Sequence, residues 1–141
     1  ILEESAAGAR LEAAEWAIAQ LGTAFQIVDD LTDFEVDVGR RTNNLLVSEI
    51  YHNGSNEERE ALEPLWDGAP VPDGTVEGVF RTSARAVLER AYGEARAAFG
   101  ALQSLGYWFD PNLADEVVHA IVGLEGVTRM DILTTGAAPS E

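Results

Sequence analysis

A chain of 141 residues holds one domain's worth of core, and 46% hydrophobic content with a mean hydropathy of −0.06 fits a folded, water-exposed protein. Its 25 acids against nine bases, all of them Arg, set a formal charge of −16, which argues against nucleic acid and anionic membrane surfaces as partners. The absence of Cys excludes disulfides and thiolate metal sites, and no run nears the roughly 18 apolar residues of a membrane span, so a cytoplasmic protein with no membrane span is expected.

The chain opens at Ile1 without an initiating Met and runs at once into helical pattern, as a piece of a longer gene product or a trimmed chain would. From Glu3 to Phe34, Ala, Leu, Glu and Gln dominate and Pro is absent, which predicts one or two helices. Leu11, Ala14, Ile18, Leu21, Phe25 and Val28 recur at alternating steps of three and four and are expected to form the buried stripe. Trp16 lies outside it. Gly22 lies on the side of Asp29, where a missing side chain would let a ligand or another helix come close. Helix is expected to give way between Phe34 and Thr42, with Gly39 as C-cap.

A short helix is predicted from Asn43 to Tyr51, then a turn at His52 to Ser55. Ser55 with Glu58 three residues on forms a capping box for a helix running to about Leu62. Residues 63–74 hold three of the five prolines and two glycines, and read as an exposed loop between helical blocks. Val76 to Leu105 is the longest helical run. Its seam of Ala84, Leu88, Ala91, Ala95, Ala98, Leu102 and Leu105 is rich in Ala and implies close helix–helix approach. An aromatic turn at residues 106–109 follows. Asp110 and Pro111 then open a last helix reaching Leu133, with Leu113, Val117, Ile121 and Leu124 inward, and residues 134–141 read as a fraying tail. Nothing alternates with period two, so the fold is read as a single all-α helical bundle.

Chemistry concentrates in one stretch. Asp29, Asp30 and Asp33 climb the end of the first helix, and Asp29 and Asp33, four apart, share a face. Asp29 falls roughly 40° and Asp33 roughly 80° from Phe25, so both border the expected stripe, while Asp30 falls roughly 140° away. Asp37 would join the ladder if the helix continued. Stacked carboxylates repel, and a hard divalent ion is the natural remedy; Mg²⁺ held this way keeps waters and substrate phosphates as further ligands. His52 and His119 lack partners at the spacing of a dyad or a zinc site.

Phe25-Gln26-Ile27-Val28-Asp29-Asp30-Leu31-Thr32-Asp33 resembles the second aspartate-rich motif, FQxxDDxxD, of the trans-isoprenyl diphosphate synthases, and Gly22-Thr23-Ala24 before it fits as well. Gly39-Arg40-Arg41-Thr42 is similar to a following Gly-Lys-x-Thr, with Arg40 in place of the Lys, a shorter spacing, and Asn44 where Pro is common. The resemblance implies the C-terminal half of an isoprenoid synthase-type fold and head-to-tail condensation of an allylic diphosphate with isopentenyl diphosphate. It implies Asp29, Asp30 and Asp33 at Mg²⁺, with Asp29 and Asp33 assisting pyrophosphate departure. Phe25, Gln26, Arg40 and Thr42 would line the substrates. It also implies a homo-oligomer and an earlier aspartate-rich motif, which this chain does not carry. The missing N-terminal half or a partner subunit is therefore expected, and the chain alone is expected to be inactive. Two other classes stand beside this one: a non-catalytic subunit that partners an active synthase, and an unrelated acidic helical interaction module.

Overall fold

A computed structural model of the chain describes residues 2–106 and 128–135. The described residues are helical without strands: α1 (Leu2–Thr32), α2 (Phe34–Arg40), α3 (Leu45–Asn53), α4 (Asn56–Trp66), α5 (Arg81–Ser104) and a last segment, α6, over residues 128–135. No helix is long and apolar enough to cross a membrane, among the described residues. The expected aromatic turn beyond Gly106, the Asp110–Pro111 helix start, Leu113, Val117, His119, Ile121 and Leu124, and residues 136–141 of the expected tail lie outside those residues, whereas Thr134 and Thr135 continue α6 and do not belong to a tail.

α1 and α5 are the two long helices, and they run antiparallel. Arg10 near the start of α1 donates to the Leu105 carbonyl just past the end of α5, while the other end of α1 meets the beginning of α5. The Ala-rich seam of α5 faces α1: Ala84, Leu88, Ala91, Ala98 and Leu102 are buried as the spacing predicts, Ala95 and Leu105 are half-buried, and Val87, outside the predicted seam, is buried too. At one end Ala17 of α1 packs with Ala98 and Leu102, and small side chains on both helices bring the backbones close. At the other end the main core gathers Ile27, Val28 and Leu31 with Phe34 and Val38 of α2, Leu46 and Ile50 of α3, Leu62 and Leu65 of α4, and Met130 and Leu133 of α6. Phe34 meets Phe80 edge to face, ring centroids 5.5 Å apart, at the centre of this core.

The buried side of α1 overlaps the predicted stripe at Val28, which is buried, and at Ala14 and Leu21, which pack half-buried against the core, but it turns away from Leu11 and Ile18. Ala17, Ala24, Ile27, Val28 and Leu31 are buried, whereas Leu11 and Ile18 are 61% and 63% exposed. By the helical step, Leu11, Ile18, Phe25 and Asp29 share a second side roughly 100–140° from Ala24. α1 is apolar on two sides, so periodicity alone does not choose between them. The Ala-rich α5 selects the side with the smaller residues, because two such surfaces approach most closely. Asp29 consequently lies on the flank of α1 turned from the buried side, and it remains half-buried there.

Several boundaries also differ. α1 breaks at Asp33, one residue before the chain resumes helix as α2. Gly39 is inside α2, and the left-handed residue that ends it is Arg41, at φ 54°. That conformation is uncommon for a side-chain-bearing residue; the Arg41 guanidinium is tied to the Trp66 carbonyl at 2.9 Å and to Asp67. The proline-rich loop starts at Asp67 and not at Glu63, since α4 continues through Pro64 to Trp66. Pro64 removes one intrahelical bond, and burial of Leu65 together with the Asp67 N–H bond to the Glu63 carbonyl keeps the last turn formed. At the other end of that block, residues 73–80 are turns, so α5 starts at Arg81 and not at Val76. Val76 and Phe80 are nonetheless fully buried.

The capping box is present as read: Ser55 Oγ accepts from the Glu58 N–H and Glu58 Oε1 from the Ser55 N–H. Glu58 is buried, and its other oxygen accepts from Ser83 N–H at 3.4 Å, linking α4 to the start of α5. Gly54, just before the cap, has the α3 backbone against it. A Cβ there would meet the Ile50 carbonyl at 2.4 Å, so only glycine lets α3 turn into α4 this tightly.

Candidate functional site

The aspartates divide into two groups with different surroundings. Asp30 spends its carboxylate inside the protein. Oδ2 accepts from the Leu45 N–H at 2.8 Å and Oδ1 from Gln26 Nε2 at 3.2 Å. Asn44, buried, caps α3 with its side-chain oxygen, and its Nδ2 donates both to the Asp30 carbonyl at 2.7 Å and to Asp37 Oδ2 at 3.0 Å. Asp37 also accepts from the Thr42 hydroxyl. Gln26, Asp30, Asp37, Thr42 and Asn44 therefore form one hydrogen-bonded knot that fastens the start of α3 to the end of α1 and to α2. Of the residues singled out in the sequence, Asp30, Gln26, Thr42 and Asp37 belong to this knot.

Asp29 and Asp33 stand outside it. Neither carboxylate has a hydrogen-bond or ion-pair partner among the described residues. Asp33 occupies the N-cap position of α2, where an aspartate ordinarily accepts a bond from the helix's first turn, yet its side chain makes no such bond. Its backbone N–H donates to the Asp29 carbonyl at 2.8 Å, so the two residues remain one turn apart across the break. Partial burial, then the charges of Asp33 and Asp30, push the Asp29 carboxyl pKa above its ordinary value. Among the described residues no three acidic or histidine side chains converge as a metal cage. What remains is a pair. Two carboxylates suffice to hold a Mg²⁺ ion that takes its other ligands from water and phosphate, and their mutual repulsion is the chemistry such an ion relieves.

The remaining candidates lie close in sequence but serve different ends. Phe25 is half-buried on the Asp29 side of α1. Arg40, in the last turn of α2, is exposed and has no partner among the described residues, unlike Arg41. Gly22 faces open space, with nothing within 4 Å of a built Cβ. His52 is exposed and stacks edge-on against Tyr51. Thr42 and Asn44 line one end of a groove of about 580 Å³ between α3 and α4, whose walls include Val47, Tyr51, Leu62 and Trp66 but neither Asp29 nor Asp33.

Arg129 of α6 is the residue that the sequence did not single out. It is 15% exposed in its side chain and engages all three guanidinium nitrogens: Nη1 donates to the carbonyls of Leu31 and Thr32 at 2.6 and 3.3 Å, Nη1 and Nη2 grip Glu35, and Nε donates to Glu77 at 2.6 Å. Burial alone would lower its pKa, but the hydrogen bonds and charges of Glu35 and Glu77 outweigh burial and raise it. All its partners lie far away in sequence, 52 to 98 positions off, so no local pattern marks it.

Comparison with protein-family models, with curated protein sequences and with solved structures found no match to this chain.

Proposed function

We propose that this chain carries the second aspartate-rich half of a magnesium-dependent prenyltransferase site, acting in head-to-tail condensation of an allylic diphosphate with isopentenyl diphosphate. The observation that carries the reading is the unspent pair: Asp29 and Asp33 are one turn apart and unpartnered among the described residues, while Asp30 and Asp37 beside them are consumed by structure. A pair kept free at a cost in repulsion needs a cation to make sense of it. The FQxxDDxxD resemblance specifies which cation and which substrate.

In this reading Asp29 and Asp33 supply carboxylate oxygens to the ion, and Asp30 orients the ladder through its bond to Leu45. Magnesium, when bound, neutralises charge developing on the departing pyrophosphate. Arg40, unpartnered and fork-shaped, suits the phosphate oxygens. Phe25, on the Asp29 side, offers an apolar surface next to the reacting end and helps keep water away from it. The chain lacks a facing aspartate-rich motif, so the other half of the site comes from a further polypeptide segment or a partner subunit.

The test is a calorimetric titration of methylenediphosphonate into the protein with and without Mg²⁺, beside Asp29→Ala and Asp33→Ala. Magnesium-dependent binding that drops at least about tenfold in both variants is expected, as for loss of a metal ligand. If Mg²⁺ produces neither binding nor a change in melting temperature, and both variants melt higher than the parent, the chain is an acidic helical interaction module instead.

A further inference from the structure

The break between α1 and α2 sets where Asp33 stands relative to Asp29, and it needs something to hold it. A helix interrupted after Thr32 leaves its last carbonyls without their N–H partners four residues on. Two side chains from distant segments take them up: Asn44 takes the Asp30 carbonyl, and Arg129 takes those of Leu31 and Thr32. The same Arg129 guanidinium grips both oxygens of Glu35, in the first turn of α2. One planar group thus bonds to both sides of the break at once. Its third side, through Nε, is anchored on Glu77 in the turn segment before α5. A guanidinium has the fixed planar fork of donors this requires, whereas an ammonium is a point charge that cannot span the same acceptors. Removing it would also take from Glu35 and Glu77 the cation that both hydrogen-bond, with Arg81 lining the same cavity but engaged on the Ile132 carbonyl. Glu77 Oε2 is already buried without a partner among the described residues.

We infer that Arg129 is the positioning residue of the Asp29–Asp33 pair, locking the α1–α2 break from the far end of the chain and thereby fixing the spacing of the two free carboxylates. What the pair binds rests on the function proposed above; the lock itself does not.

The experiment uses Arg129→Lys, which keeps the charge and loses the fork, and Arg129→Met, beside Leu133→Ala as a control. Leu133 is buried on the same helix and takes no part in the clamp. Amide hydrogen exchange is followed at Asp33 and Asp37, whose N–H groups bond to the Asp29 and Asp33 carbonyls. In Arg129→Lys these two amides should exchange at least about tenfold faster while amides in α5 stay near parental rates, the signature of local opening. Leu133→Ala should raise exchange broadly instead. Magnesium-dependent methylenediphosphonate affinity should fall about tenfold or more in Arg129→Lys, as for loss of a group that orients metal ligands, and stay parental in Leu133→Ala under folding conditions. Unchanged exchange at Asp33 and Asp37 in Arg129→Lys overturns the lock, whatever the parent binds. Faster exchange with unchanged affinity overturns the positioning role. Faster exchange in a parent that binds nothing leaves the lock standing and removes the proposed function instead. If Arg129→Met does not fold, Arg129→Lys alone decides.

Discussion

Asp29 illustrates how a single carboxyl reports on its surroundings. Its folded-state pKa lies above the ordinary value because of burial and then the charges of Asp33 and Asp30. A raised carboxyl pKa means that the folded state binds the proton more tightly than the unfolded chain. Stability therefore falls as pH rises through the window from the unfolded value, about 4, up to the folded one, and the penalty of ionised Asp29 persists above it. Asp29→Asn should accordingly be more stable than the parent at pH 7 without metal, relief of the four-apart repulsion contributing roughly 0.2–0.5 kcal/mol beside the larger relief of the burial penalty. That advantage should vanish below about pH 4, where the parent is protonated as well. Thermal melts of both proteins from pH 3 to 8 measure this directly. On the proposed function, Mg²⁺ should reverse the order at neutral pH, because only the parent would keep both carboxylates for the ion.

At the scale of elements, the signals that were local in sequence are the ones the structure repeats. Ser55 and Glu58 form their reciprocal cap, and Glu58 reaches on to α5. Ser55→Ala should cost about 1 kcal/mol of unfolding free energy, measured by denaturant titration. Glu58→Ala should cost more than Ser55→Ala, because it also removes the acceptor for the Ser83 N–H. The seam of α5 was legible for the same reason: only one of its sides is apolar. α1 was not, because Leu11, Ile18 and Phe25 offer a stripe as regular as the Ala17–Leu31 side. Choosing between two regular stripes requires knowing the partner. The break at Asp33 was equally hidden, since no Gly or Pro marks it, and it depends on acceptors being met by Asn44 and Arg129.

The whole molecule is organised so that the core lies on one side of the α1–α2 break and the free carboxylates outside that core. Phe34, the first residue after the break, is fully buried against Phe80 and held among residues of every described helix. Phe34→Ala should destabilise the fold by about 3–5 kcal/mol, which is a large share of the 5–15 kcal/mol typical of a domain. Loss of cooperative thermal unfolding, or a strongly reduced melting temperature by circular dichroism, is the expected result. Such a variant should also disturb the aspartate pair, because the same residue fixes where α2 begins.

Composition and periodicity alone settled the all-α class, the capping box, the small-residue seam of α5 and the clustering of aspartates where the first helix ends. Each of these is written within a few neighbouring residues, over distances that the 3.6-residue turn itself spans. Tertiary structure decided which side of α1 is buried, where that helix breaks, which aspartates are spent on the knot and which are left free, and that Arg129 holds the junction. Those outcomes depend on contacts such as Arg129 with Leu31, 98 positions apart. No local pattern encodes such a contact, because satisfying a buried carbonyl or carboxylate is a property of the folded surroundings and not of the residues beside it.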